Sequence, residues 1–131
     1  MRVYVEASAA AKLLVEEPES AALAGLLDAW VAEGSAMLGS LLLETELRRL
    51  AHRLSLPQER VSDLLDRFDL LESDAVTYRT AGLLPGVQLR SLDALHVAAA
   101  VQGDCRTMVT YDARQADAAR AAGLQVASPG A

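Results

Sequence analysis

Residues 2–15 read RVYVEASAAAKLLV, and this stretch decides the fold. The run from Arg2 to Val5 has β-type composition, and the apolar residues after it recur at helical spacing, with Ser8 as a candidate helix N-cap. The stretch therefore predicts a strand that leads directly into a helix.

The same alternation of strand and helix continues along the chain. Predicted strands lie at Arg2–Val5, Ala36–Gly39, Thr107–Tyr111 and Leu124–Ala127, with a weaker edge strand at Leu70–Glu72. One predicted helix follows the candidate cap Ser8 and runs through Val15. Ser40 and Ser91 are candidate caps of two further helices. The remaining predicted helices and these two cover Glu19–Ala32, Leu41–Leu54, Gln58–Leu71, Ala75–Leu83, Leu92–Val101 and Ala113–Ala122. Short apolar strands between helices predict an α/β fold of three layers, α/β/α, around a short central parallel sheet of four or five strands.

Length and composition favour one domain over residues 1–131, since 131 residues with 52% hydrophobic content suffice for a single core. No apolar run is long enough to span a membrane and no signal segment is visible, so we expect a soluble, cytoplasmic protein without a membrane partner. The single cysteine, Cys105, excludes an internal disulfide and a multi-thiolate metal site.

The net charge of −6 argues against broad binding to phosphates, which usually requires a basic face. Two bound divalent cations would reduce that charge to about −2. The basic residues are mostly arginines, which suit forked phosphate contacts. Those near acidic positions in sequence could bind nucleic-acid phosphates or could lie on solvated helix faces; they are Arg48, Arg49, Arg53, Arg90 and Arg114.

Four acidic residues lie where parallel strands end or helices begin. Glu6 and Asp112 follow predicted strands directly, and Glu46 and Asp93 lie in the first two turns of predicted helices. Because ligands of open α/β sheets bind beyond the carboxyl ends of the strands, we expect all four carboxylates at one rim. Such a cluster needs a cation to offset its mutual repulsion, and its hard oxygen ligands select Mg²⁺ or Mn²⁺.

Each of these residues also has a purely structural interpretation. Asp93 could complement a helix N-terminus, Asp112 could be a turn residue or an N-cap, and Glu46 could pair with a basic neighbour on its own helix. Glu6 is the hardest to explain in this way, because glutamate is a poor cap and a poor strand residue.

Four segments, in this order, carry a family resemblance. They read VYVEASAAAKLL (3–14), SLLLETELRRL (40–50), RSLDALHVAAA (90–100) and VTYDARQADAARAAGL (109–124). Together they resemble a PIN-domain ribonuclease, most closely the VapC toxins of type II toxin–antitoxin pairs.

The resemblance implies a role for the four acidic residues. It makes Glu6, Glu46, Asp93 and Asp112 catalytic, with Glu6, Asp93 and Asp112 as ligands of Mg²⁺, for which Mn²⁺ could substitute. Glu46 carries over in preference to Glu44 because only Glu46 precedes a Leu-Arg pair, so Glu44 is expected to be a surface charge.

The resemblance also implies an activity and partners. It implies a magnesium-dependent endoribonuclease that cleaves transfer RNA or another structured RNA, is held by a VapB-like antitoxin and forms a homodimer. The predicted helical hairpin of Leu23–Trp30 and Gln58–Phe68 could offer apolar surface to an antitoxin or a second subunit, or could be ordinary core.

Smaller residues could support the acidic ring. Ser8 and Thr110 are close to it in sequence and could donate hydrogen bonds to it, although Ser8 has a rival role as a cap. His96 could contact substrate or fix a ligand, or could simply pack. The departure from the family pattern is Glu6, where VapC toxins have Asp; the extra methylene moves the carboxylate by roughly 1 Å, so we expect metal binding to survive and cleavage to be slower.

Two other functions fit the sequence less well. One is a catalytically weakened PIN-like module that only binds RNA or an antitoxin, which magnesium-dependent cleavage lost in Asp93→Asn would exclude. The other is a receiver-type signalling domain, which needs a lysine after its last strands, whereas the only lysine here is Lys12 in the first helix.

Overall fold

The computed structural model describes all 131 residues and has a central sheet of five parallel strands in the order β3-β2-β1-β4-β5. The strands are β1 (Arg2–Val5), β2 (Ala36–Ser40), β3 (Asp69–Leu71), β4 (Thr107–Val109) and β5 (Gln125–Ala127). The helices are α1 (Ala7–Leu14), α2 (Ser20–Ala32), α3 (Leu41–Leu54), α4 (Gln58–Leu65), α5 (Ala75–Leu83), α6 (Ser91–Gln102) and α7 (Ala113–Ala121). The predicted α/β fold with a short parallel sheet is confirmed.

Alternate residues of the strands separate two cores, as the pleat requires. Val3 and Val5 of β1 face helices α1 to α4, whereas Tyr4 faces helices α6 and α7. Both faces of the sheet are therefore covered, which is the usual environment of a parallel sheet. The predicted hairpin belongs to the first of these cores, since Leu23, Leu27 and the apolar face of α4 are buried in it.

The carboxyl ends of the strands and the amino ends of four helices lie at the same edge of the sheet. Helices α1, α3 and α7 begin where β1, β2 and β4 end, and α6 runs back toward the start of β4. Four helix N-termini thus converge beside the acidic residues, an arrangement that favours negatively charged ligands. No helix combines the length and apolar character needed to cross a membrane.

Two elements end two or more residues before their predicted C-terminal residue. Helix α4 ends at Leu65, short of Leu71, because the chain from Asp69 onward pairs with β2 as a parallel strand. Strand β4 ends at Val109, before Tyr111, because the backbone N–H of Tyr111 donates to a side chain, the hydroxyl of Ser8. In both places a non-local contact overrides the local apolar pattern.

Candidate active site

Glu6 is the first acidic residue at the carboxyl edge, and it caps helix α1. Its Oε1 accepts a hydrogen bond from the backbone N–H of Ser8 at 2.9 Å, so the prediction of Ser8 as the N-cap was wrong. Its Oε2 accepts from the Ser8 hydroxyl at 2.5 Å and from the Thr110 hydroxyl at 2.7 Å. The predicted hydrogen bonds from Ser8 and Thr110 to the acidic ring are thus confirmed, and Glu6 is only 5% exposed.

The same two hydroxyls join the segments that follow β1 and β4. Ser8 Oγ accepts from the backbone N–H of Tyr111 at 2.9 Å, and Thr110 Oγ1 accepts from the backbone N–H of Asp112 at 3.1 Å. Each hydroxyl therefore donates to Glu6 and accepts from the chain after β4. This network fixes the Glu6 carboxylate relative to the Asp112 backbone.

Asp112 is the N-cap of α7, as one of its structural interpretations predicted. Its Oδ1 accepts from the backbone N–H of Gln115 at 3.1 Å. The buried Gln115 side chain in turn donates from Nε2 to the backbone carbonyl of Asp93 at 3.2 Å. Gln115 therefore ties the start of α7 to the start of α6, a role that the sequence did not reveal.

Asp93 lies half-buried in the first turn of α6. Burial raises the pKa of its carboxyl, and the negative charges of Asp112 and Glu46 raise it further against the opposing effect of His96 and Arg90. Asp93, Asp112 and Glu46 are thus close enough to influence one another electrostatically.

Glu46 is held from the opposite layer of the fold, and its predicted pairing with a basic neighbour on its own helix was wrong. Its Oε1 lies 2.5 Å from Nε2 of His96, which is 1% exposed, and Nδ1 of His96 lies 2.6 Å from the hydroxyl of Tyr4. The carboxylate only accepts hydrogen bonds, so Nε2 is the donor in this contact, while Nδ1 shares a hydrogen bond with the Tyr4 hydroxyl. Burial raises the pKa of Tyr4, which keeps the phenol protonated for this contact.

Tyr4 was not predicted as a member of the site, although a signal for it exists in the sequence. A tyrosine in the middle of a short apolar strand must find a hydrogen-bond partner once it is buried. The fold supplies His96 as that partner, and His96 also contacts Glu46, so His96 does more than pack against its neighbours.

A groove of about 500 Å³ opens at this edge. Its polar lining comes from the start of α1 and from one side of α3, namely Glu6, Ser8, Thr45, Glu46, Arg49 and Arg53. Glu6 and Glu46 therefore face a common space, whereas Asp93 and Asp112 do not line this groove.

The three predicted metal ligands, Glu6, Asp93 and Asp112, are not brought together as a preformed cage. No group of three or more His, Cys, Asp or Glu side chains is close enough to hold an ion in this structure. Glu6 is directed onto the start of α1, and Asp112 onto the start of α7. The donor set nevertheless fits Mg²⁺ in kind, since it consists of carboxylates, and a bound cation would offset the burial and the charges of Asp112 and Glu46 that raise the pKa of Asp93.

Comparison with known proteins matches this chain to a protein family. The PIN domain family model matches residues 3–121. Ribonuclease VapC47 of Mycobacterium tuberculosis is 38% identical, covering 98% of each chain, and Ribonuclease VapC35 of the same species is 40% identical, covering 98% of this chain and 97% of the relative.

Two solved structures share the fold at low sequence identity. VapBC2 from Rickettsia felis, bound to a DNA fragment from its promoter, matches with a TM-score of 0.73 at 16% identity, covering 97% of this chain and 98% of that chain. FitAB bound to the IR36 DNA fragment matches with a TM-score of 0.77 at 17% identity, covering 98% of this chain and 96% of that chain. At these identities the likeness concerns the fold alone.

Proposed function

Because this chain belongs to the PIN domain family, among the VapC ribonucleases, we propose that it is a divalent-metal-dependent endoribonuclease and the toxin of a toxin–antitoxin pair. The observation that carries the proposal is the acidic edge itself. Four carboxylates from four separate segments lie where helix N-termini converge, and the pKa of Asp93 is raised by burial and by Asp112 and Glu46. Perturbed acidic residues at such an edge are typical of active sites.

Glu6, Asp93 and Asp112 are the residues that would hold the cation, which when bound supplies positive charge to stabilise the phosphate as the RNA strand breaks. Glu46 faces the groove with one oxygen fixed by His96, which suits it to orient a water molecule or accept its proton. Ser8 and Thr110 hold the Glu6 carboxylate in place. No side chain is required as a nucleophile in this scheme.

The relatives support an RNA substrate and an antitoxin partner. The curated relatives are named ribonucleases, and the structural neighbours include toxin–antitoxin complexes. We therefore infer a VapB-like antitoxin as the partner, a homodimer as the assembly and transfer RNA as the substrate. An antitoxin that places a basic side chain at the acidic edge would block the site through charge complementarity.

The direct test is cleavage of total transfer RNA by the purified chain with Mg²⁺ or Mn²⁺ and with chelator. We expect cuts that require the metal and fall at least a hundredfold in Asp93→Asn, because this change removes a ligand from the site. Asp117→Asn is a matched control, since Asp117 is an exposed aspartate on α7 and should not alter the rate. Cleavage that persists in Asp93→Asn, or in chelator, would refute the proposal.

One observation favours the second candidate, a weakened module that binds RNA or antitoxin. A carboxylate has about four lone-pair sites, and three of those on Glu6 already accept hydrogen bonds from Ser8 and Thr110. Glu6 therefore has little capacity left for a metal ion. Aspartate at position 6 would be too short to make all three contacts, so we expect Glu6→Asp to cleave RNA faster; equal rates would show that Glu6 does not limit catalysis.

A further inference from the structure

We propose that Arg49 and Arg53 form a binding site for two phosphates of the RNA strand, on the side of the groove that leads away from Glu46. This inference rests on the proposed ribonuclease function and adds to it the surface that guides the strand. Both arginines line the groove that also contains Glu6 and Glu46.

The two side chains differ from most other arginines of the chain in having no protein partner. Five of the eleven arginines donate a side-chain hydrogen bond or form a salt bridge within the protein, namely Arg2, Arg48, Arg60, Arg67 and Arg120. Arg49 and Arg53 make no such contact and are exposed. Their charges are therefore available to a ligand.

A comparison of Arg48 with its neighbour Arg49 on α3 shows that the lack of a partner for Arg49 follows from the local geometry. Arg48 pairs with Glu44 at 3.0 Å and donates to Gln58 and Ser62, so it joins α3 to α4. Glu46, three residues before Arg49, is positioned to pair with it, but its carboxylate is bound to His96 instead. The buried histidine thus engages one oxygen of Glu46, and the guanidinium group of Arg49 stays unpaired.

The spacing of the arginines fits a nucleic-acid strand. Glu46, Arg49 and Arg53 follow one another at three and four residues along one side of α3. Four residues of helix advance about 6 Å, which is comparable with the separation of neighbouring phosphates on an extended strand. A strand with its cleaved bond beside Glu46 would therefore place its next phosphates beside Arg49 and Arg53.

Charge gives the physical reason for such a site. The chain has a net charge of −6, and its candidate active site is a cluster of carboxylates, so a polyanion is repelled where it must bind. Two unpaired guanidinium groups in the same groove reduce that repulsion without neutralising the carboxylates. An acidic protein can in this way hold RNA at one groove only.

The test measures binding apart from cleavage. A labelled single-stranded RNA is titrated by fluorescence anisotropy at several NaCl concentrations, with all proteins in an Asp93→Asn background. We expect Arg49→Ala with Arg53→Ala to weaken binding about tenfold near 0.15 M salt, and to lower the slope of log affinity against log salt by about 1.4, because two phosphate contacts are lost. Each single change should weaken binding about threefold.

Arg106→Ala is the matched control. Arg106 is also exposed and without a side-chain partner, but it precedes β4 at the opposite edge of the sheet. Arg106→Ala removes the same charge as either single groove variant, and it should leave both affinity and salt slope nearly unchanged. Replacing both groove arginines with lysine should restore the salt slope, since the charges return.

The outcomes separate this inference from the proposed function. If the unmodified chain cleaves RNA but the double variant binds it with the affinity and salt slope of Arg106→Ala, the phosphate site is refuted and the ribonuclease stands. If the double variant loses affinity and slope while the unmodified chain cleaves nothing, the site stands and the chain only binds RNA. No RNA binding by the background protein, or loss of antitoxin binding alone in the double variant, would also overturn the site.

Discussion

The two helical layers that cover the sheet are built differently. In helices α1 to α4 the one fully buried polar residue is Ser20, whose hydroxyl bonds to the backbone carbonyl of Lys12. In helices α5 to α7 three polar side chains are buried, Thr77, His96 and Gln115. Two of these, His96 and Gln115, contact the acidic residues of the candidate site or their backbone.

We infer from this difference that the first layer mainly stabilises the fold and that the second layer mainly holds the candidate site. The first layer provides a large apolar core and presents Glu6 and Glu46 at its edge. The second layer contributes Asp93 and Asp112 and also the buried groups that hold the site in position. A buried polar residue costs free energy unless it is hydrogen-bonded, so the larger number of such residues in the second layer favours a functional role there.

The largest effect expected from this comparison concerns Leu47, which is fully buried in the first core on α3. Leu47→Ala removes methyl groups and leaves a cavity, so we expect the free energy of unfolding to fall by about 3 kcal/mol. Cleavage per folded molecule should stay nearly constant. Leu54→Ala, at an exposed leucine of the same helix, should cost less than about 1 kcal/mol in the same chemical denaturation measurement.

Leu47→Ala also tests whether the two layers have separate roles. If Leu47→Ala changes the pH or metal dependence of cleavage in samples shown to be folded, the first layer positions the site as well as stabilising the protein. The division of roles between the two layers would then be wrong.

A smaller effect is expected from the second layer, at His96. His96→Leu leaves Glu46 without its hydrogen bond and leaves the buried Tyr4 hydroxyl unpaired. We expect kcat to fall about tenfold with a smaller change in KM, and stability to fall by about 1 to 3 kcal/mol. His96→Gln can still donate to Glu46 through its amide, so it should recover part of kcat.

Tyr4→Phe tests the same chain of contacts without removing the His96 imidazole. It removes only the hydroxyl that binds Nδ1 of His96, so the imidazole keeps its volume but loses one of the two contacts that fix its orientation. We expect a decrease of kcat smaller than that of His96→Leu. If His96→Leu lowers stability but leaves kcat unchanged, the contact with Glu46 is structural only.

The sequence predicted most of the fold because strands and helices leave a local pattern. Residues 2–5, 41–54 and 75–83 have the predicted bounds, since periodicity and breakers lie within each segment. The end of α4 was misplaced because the local pattern at Leu70 and Leu71 fits both the predicted helix and the predicted edge strand, and pairing with β2 decides for the strand. Local patterns thus identify elements better than they identify where tertiary pairing ends them.

The candidate site was predicted in part for a related reason. Motifs identified the four carboxylates, and topology explained why they share an edge. Two partners of those carboxylates are distant in sequence, since His96 is 50 residues from Glu46 and Thr110 is 104 residues from Glu6, so spacing alone could not reveal these contacts. Glu6 as the cap of α1 was missed because glutamate is rare in that role.

The smallest effect expected is a gain of stability when Asp93 is replaced by Asn. Folding raises the pKa of its carboxyl, chiefly through burial, so the ionised form is less favourable in the folded chain than in the unfolded one. The cost is therefore absent in acid, where both states are protonated, and grows as pH rises through the ordinary carboxyl range to a constant value near pH 7. Asp93→Asn removes it, so the variant should melt a few degrees higher at pH 7 in chelator, with little difference below pH about 3.

Added Mg²⁺ tests the same pair of proteins in a second way, because a ligand that binds only the folded state raises the melting temperature. We expect Mg²⁺ to stabilise the unmodified chain and the Asp117→Asn control, and to leave Asp93→Asn nearly unchanged. The order of melting temperatures would then reverse between chelator and saturating Mg²⁺. An Asp93→Asn protein that is less stable in chelator would contradict this, and would mean that Asp93 supports the fold more than it strains it.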